Sequence, residues 1–204
     1  MLDAPAIGLR IVNGASLDEA RREHLRPGEP MADRVGVERR LPTHFYEIPS
    51  WEAALDTRLA PNFGVWELID VDVREPEVMR RFPRYIPCAM ALLAGQLQLL
   101  RAEVGRVVRI AANGGYRSPA HAFSSVASGH VWGTAANIYR IGDDWMDSGE
   151  TIRRYIDVAR RVLPHAWTRP YGAEPGHAFD HLHLDLGYFV VEPHEIHGAA
   201  PAAP

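Results

Sequence analysis

Residues 181–186 read His-Leu-His-Leu-Asp-Leu, a strict alternation of polar and apolar side chains. Successive side chains of an extended strand point to opposite faces, so His181, His183 and Asp185 share one face and Leu182, Leu184 and Leu186 the other. The expectation is a strand over His181–Gly187 with a buried leucine face and a histidine face turned to a ligand. Its two imidazoles stand roughly 6–7 Å apart along the strand. They can serve one metal together, or one can bind it while the other acts on bound water or substrate. The bland alternative is a pair of surface histidines on an edge strand.

Other segments carry weaker but readable signals. Ser16–His24 reads as a short helix, with Ser16 as cap and Glu19 completing a capping box. Arg26-Pro27-Gly28-Glu29-Pro30 breaks the chain, and Ser50 caps a helix that ends before Pro61. After Pro87, apolar residues at Ala89, Leu92, Leu93, Leu97, Leu100 and Val104 recur at helical spacing, with Gly105 as the stop. Val107–Ala111 reads as a strand, Gly114–Pro119 as a turn and Ala120–Ser125 as a short helix. Thr134–Ile141 reads as a strand, and Ser148 caps a helix over Gly149–Val162 with Ile152, Tyr155, Ile156 and Ala159 inward. There is no internal repeat. Separated helices and short strands predict an α+β fold.

Three regions follow. Residues 1–60 are irregular and too thin in apolar content for a core of their own, so they read as an extension wrapping the main domain. Residues 61–197 form that domain, and the Ala/Pro/Gly tail 198–204 reads as disordered.

Composition removes several function classes. Of 204 residues, 47% are hydrophobic and 24% charged, with a formal net charge of −4. That balance gives no electrostatic reason to expect nucleic acid or an anionic membrane. The basic pairs Arg21-Arg22, Arg39-Arg40 and Arg80-Arg81 sit among carboxylates and read as solvated faces. One cysteine, Cys88, excludes an intramolecular disulfide framework and a cysteine-based zinc site, and it reads as a small buried hydrophobe. No run reaches transmembrane length. The start lacks the basic and apolar regions of a secretory signal, which places the chain in the cytoplasm by its sequence. A removed leader or another export route stays open.

A second chemical cluster lies upstream of the histidine strand. Ser128-Gly129-His130-Val131-Trp132-Gly133-Thr134-Ala135-Ala136-Asn137 sets a histidine in a loop and an amide seven positions on, inside the following strand. Small residues at 133, 135 and 136 leave room for close approach. Together with His181-x-His183 this supplies ligand types of a three-ligand catalytic zinc site. His194-Glu195-Ile196-His197 is a weaker metal motif, its histidines three apart in a tail-like region. Trp132, Tyr139, Trp145, Trp167 and Tyr171 are candidates to line a pocket. No P-loop, dinucleotide fingerprint or nucleophile elbow is present.

Gly115-Tyr116-Arg117-Ser118-Pro119, then Ser-x-His-x-x-Gly-x-Ala-x-Asn at 128–137, then His181-x-His183 resemble the zinc D-Ala-D-Ala carboxypeptidases. That group includes the vancomycin-resistance dipeptidases and carboxypeptidases, the lysostaphin-type peptidases and the Hedgehog signalling domain. The resemblance covers roughly residues 60–190. It implies an antiparallel sheet flanked by helices, a catalytic zinc and a cell-wall-type peptide as substrate or ligand. By the same resemblance His130, residue 137 and His183 would hold zinc, and His181 would steer the reacting water. Arg117 would face the substrate's carboxylate or scissile carbonyl, with Tyr116 and Ser128 beside it. Asp180 takes the position of the dipeptidases' general base, a Glu three residues before the last ligand; Glu174 is a less suited substitute.

The chain departs from the pattern at one decisive position. The family has Asp where Asn137 stands, and a neutral amide is the poorer metal donor. Asn137 can mark a non-catalytic member that still binds peptide, or an inactivating substitution. Alternatively a carboxylate arrives from elsewhere, with Asp143, Asp144 and Asp180 as candidates. Asn113-Gly114 also replaces the serine that usually precedes Gly-Tyr-Arg.

Overall fold

The computed structural model describes residues 7–69, 71–174 and 176–193. The His194–His197 motif and the 198–204 tail lie outside them. From the N-terminus come β1 (Ile11–Asn13), α1 (Glu19–Leu25), β2 (Pro30–Ala32), β3 (Glu38–Arg40) and β4 (His44–Ile48). Then follow α2 (Trp51–Asp56), β5 (Arg58–Ala60), β6 (Phe63–Gly64), α3 (Glu77–Arg80) and β7 (Arg84–Pro87). The remaining elements are α4 (Met90–Val104), β8 (Val108–Ile110), α5 (Gly129–Trp132), β9 (Ala135–Ile141), β10 (Asp144–Trp145), α6 (Gly149–Val162), β11 (Trp167–Thr168) and β12 (Leu182–Asp185). Helices lie between strands that pair antiparallel, an α+β arrangement.

The sheet that carries the site is built around β9, which pairs antiparallel with β8, β10 and β12, while β11 continues beyond β12. The predicted alternation holds in both central strands. Leu182 and Leu184 of β12, with Ala136 and Ile138 of β9, are buried in the main core. His183 and Asn137 project from the other face as direct cross-strand partners. Behind the apolar face pack α4, through Met90, Leu93, Leu97 and Leu100, and α6, through Ile152, Tyr155, Ile156 and Ala159. Gly105 ends α4 in the left-handed region and Ser148 caps α6, as the sequence indicates. Leu92 departs from expectation. It is 51% exposed, because the buried stripe of α4 runs through positions 93, 97 and 100 and turns residue 92 outward.

Two local expectations are corrected. Asp18, not Ser16, caps α1: its Oδ1 accepts from Arg21 N, its carboxylate also pairs with the Arg21 side chain, and Ser16 ends a separate 3-10 turn. No helix forms over 120–125. There Ser118 Oγ accepts from Ala120 N and His121 Nδ1 from Phe123 N, so side chains take the bonds a helix needs.

The first sixty residues hold more regular structure than the two expected helices. β1 and β4 join β7 in a three-stranded sheet, and Val12, Leu25, Phe45, Ile48 and Leu59 belong to the same core as α4. β2 and β3 form a hairpin whose turn reaches a cleft described below. It is seated by a small second core in which Met31 and Leu41 pack with Ala127, Val131 and Trp132. Trp132 Nε1 donates to Arg40 O, and Ala127 N to Ala32 O. The hairpin is thereby tied to α5, the element that carries His130.

Candidate active site

A cleft of about 810 Å³ opens over the polar face of β9 and β12. Its walls include Arg117, Ser128, His130, Asn137, His181 and His183, six of the residues singled out in the sequence, and Asp180 lies at its edge. Tyr116 is the exception. Its backbone N–H donates to Leu68 O, and its ring turns into the core beside Glu75 and Arg84, where burial pushes the phenol pKa well up. It does not face the cleft.

The turn before Arg117 depends on Gly115. A Cβ there would stand 2.1 Å from Leu68 O, closer than any non-bonded contact allows. The bare backbone lets Gly115 O reach His130 Nδ1 at 2.8 Å. A carbonyl only accepts, so Nδ1 carries the proton and Nε2 of the neutral ring keeps its lone pair. Burial, with Arg117 and His183 adding to it, holds the His130 pKa well below the ordinary range. Arg117 itself is set by a 2.7 Å bond from its Nε to Asn113 O, and its backbone N donates to His130 O.

His183 and Asn137 face one another across the strand pair, with Nδ1 2.7 Å from Oδ1. The other ring nitrogen, Nε2, lies 3.7 Å from the Asp185 carboxylate. Burial lowers the His183 pKa, against a raising pull from Asp185. A neutral imidazole has one N–H for two claimants. Protonated at Nδ1, it donates to Asn137. Protonated at Nε2 toward Asp185, it leaves the Nδ1 and Oδ1 lone pairs converging on one point, which a cation would satisfy. Asp185 is itself held by Gly187 N, which donates to Oδ1 at 2.7 Å. Gly129 makes room for it, since a Cβ there would meet the carboxylate at 2.6 Å.

His181 has a similar polarity. Its Nδ1 lies 2.6 Å from Asp180 Oδ1, so the carboxylate orients the ring and Nδ1 carries the proton. Nε2 is buried without a hydrogen-bond partner. Burial lowers the His181 pKa and Asp180 opposes the shift. The ring centroid of His183 lies 5.2 Å from that of His130 and 6.3 Å from that of His181. The cleft therefore gathers the three imidazoles with the Asn137 amide and the Arg117 guanidinium.

Of the three candidate substitute carboxylates only Asp180 reaches the cleft. Asp143 is fully exposed and pairs with Arg140, and Asp144 pairs with Arg106, Arg154 and Tyr155; neither lines the cleft. Glu174 faces His177 at 3.8 Å, outside it. Among the described residues no group of three or more His, Cys, Asp or Glu is placed to hold a metal. Of the aromatic candidates, Tyr139 and Trp167 line the cleft, whereas Trp132 is buried in the second core.

Sequence reasoning missed three charged residues of the cleft, Asp33, Arg34 and Arg169. Arg34 comes from the β2–β3 turn and Arg169 from the loop after β11, neither within a motif that marks a site. Comparisons with protein-family models, curated proteins and solved structures return no match. Among the described residues no helix is long and apolar enough to cross a membrane.

Proposed function

We propose that this chain is a zinc-dependent hydrolase of the D,D-carboxypeptidase or dipeptidase type, with a Hedgehog-like sheet, acting on small cell-wall-type peptides. The observation that carries the reading is the convergence of His130, Asn137 and His183 on one cleft that also holds Arg117. The donor set fits the metal in type. His130 offers Nε2 because Gly115 fixes its tautomer, and His183 Nδ1 and Asn137 Oδ1 stand side by side. Burial keeps both histidines neutral, the state in which an imidazole binds a metal.

When bound, zinc would lower the pKa of its water to about 7 and polarise the scissile carbonyl. The chain's own groups supply the rest. Arg117 holds the peptide's terminal carboxylate through charge-assisted hydrogen bonds. Nε2 of His181 accepts the proton of the attacking water and passes it to the leaving amine, while Asp180 holds the ring in register. Asp180 is thus a positioning residue, rather than the general base that its sequence position implies. Asp185 does the same for His183.

One specific observation favours a second reading, a catalytically impaired domain that binds peptide in the same cleft. Asn137 carries no charge, and its oxygen already has a hydrogen-bonding partner in His183. Metal analysis of the purified chain and of Asn137→Asp, beside a hydrolysis screen over D-amino-acid peptides, separates the two. Metal and turnover in the native chain support the hydrolase. Turnover only in Asn137→Asp supports the impaired domain, and no metal in either protein refutes the zinc site.

A further inference from the structure

The cleft that holds His181 and His183 is also lined by two guanidiniums that the proposed hydrolysis does not use, Arg34 and Arg169. Arg169 follows β11, with its backbone N donating to His183 O, and its side chain is half-buried. Its Nε is buried with no hydrogen-bond partner. Arg34 sits on the exposed turn of the β2–β3 hairpin, near enough to Arg169 to depress its pKa, second only to burial.

The nearby carboxylates have other employment. Asp33 accepts from Val35 N, Val37 N and the Arg39 side chain, which shapes the hairpin turn. Asp180 holds His181. Asp185 acts on Arg169 from a distance but is bonded to Gly187 N and faces His183. Two like charges are therefore brought together in a partly desolvated cleft, with a buried donor left over. An anion between them would relieve the repulsion and satisfy the Nε.

The hairpin is not a loose flap. The Met31, Leu41, Ala127, Val131 and Trp132 cluster and the Trp132-to-Arg40 bond fix its base to the helix bearing His130. The position of Arg34 over the cleft is thus built into the core. We propose that Arg34 and Arg169 form an anion subsite that receives a second carboxylate, carried by a peptide whose terminal carboxylate is held by Arg117. The peptide part of this assignment rests on the function proposed above, whereas the anion subsite does not. On this view the N-terminal hairpin gives the cleft its preference for acidic peptides.

Calorimetric titration of the full chain tests it, with acetyl-Glu-D-Ala-D-Ala, its uncharged twin acetyl-Gln-D-Ala-D-Ala, and inorganic phosphate as probes. The glutamyl peptide should bind roughly tenfold tighter than the glutaminyl one, the scale of one well-made charge-assisted contact. Arg34→Gln or Arg169→Gln should erase that preference and leave affinity for the glutaminyl peptide unchanged. Arg34 lies on an exposed turn, so its replacement leaves the core intact. If neither peptide binds but phosphate does, and either substitution abolishes it, the subsite stands and the peptidase reading falls. Equal affinity for the two peptides, or a preference that survives both substitutions, overturns the subsite. So does phosphate binding that neither substitution weakens, or a failure to bind peptide and phosphate alike.

Discussion

Asn137→Asp is the perturbation with the sharpest consequence. The side chain is 7% exposed, and its Oδ1 lies 2.7 Å from His183 Nδ1. Without metal, the new carboxylate is buried with only an imidazole for partner, and its desolvation should destabilise the fold by about 1–3 kcal/mol. With zinc, the sign reverses. Loss of a partner that merely supports a ligand costs about 10–100-fold in metal affinity, so restoring a charged oxygen that itself touches the metal should gain at least that much. A 100-fold tighter site adds about 2.7 kcal/mol of stabilisation at saturating metal. For a chain of this size that corresponds to roughly 5–10 °C, at about 2–4 °C per kcal/mol. Thermal unfolding of both proteins, with chelator and with zinc, reads the two effects separately. Asn137→Asp should melt below the native chain in chelator and gain several degrees more from zinc. Equal zinc-induced shifts in the two proteins would refute the placement of residue 137 in the metal shell.

Further predictions address the scaffold. Gly115→Ala would set a Cβ 2.1 Å from Leu68 O, and the forced backbone shift should cost more than about 3 kcal/mol in urea unfolding. Glu75 is buried and its pKa is raised, chiefly by desolvation, above its ordinary value of 4.5. A raised carboxyl pKa contributes stability that is present below 4.5 and lost as pH climbs through the folded value. Glu75→Gln should therefore gain on the native chain as pH rises from 4.5, a trend that denaturant titrations at stepped pH will reveal. Burial drives the Cys88 thiol pKa up to about 12, so iodoacetamide at pH 8 should label unfolded but not native protein, as mass spectrometry can count.

The strands and helices were legible where one face is apolar and the other polar. Leu182 and Leu184 alternate with histidines, and Ile152, Tyr155, Ile156 and Ala159 recur at helical spacing, so burial writes itself into the pattern. Signals failed where local bonds decide. Asp18 and Ser16 are both good caps, and only the burial of Leu17 and the Asp18–Arg21 pairing separate them. Tyr116 was misplaced because adjacency to Arg117 says nothing about side-chain direction in a turn, which the Leu68 carbonyl dictates. Arg34 was invisible because it reaches the cleft through a hairpin more than a hundred residues distant in sequence from His183. Its turn is set by Asp33, and its seat by the Trp132 cluster.

The same geometry explains why residue 137 decides the chemistry alone. Antiparallel pairing puts Asn137 opposite His183, with Ala135 opposite Asp185, so the register admits one side chain from β9 beside that imidazole. Its neighbours Ala136 and Ile138 point into the core, and a shift by one residue would bury the polar set and expose the apolar one. Asp143 and Asp144 lie beyond the end of β9, committed to arginines on the outer surface. Asp180 is spent on His181 and Asp185 stands at the far side of the His183 ring. Each of these carboxylates therefore already has a partner of its own, an arginine for Asp143 and Asp144 and a histidine for Asp180 and Asp185. In the proposed zinc site the balance therefore turns on the Asn137 amide oxygen, and on whether His183 offers it a proton or a shared cation.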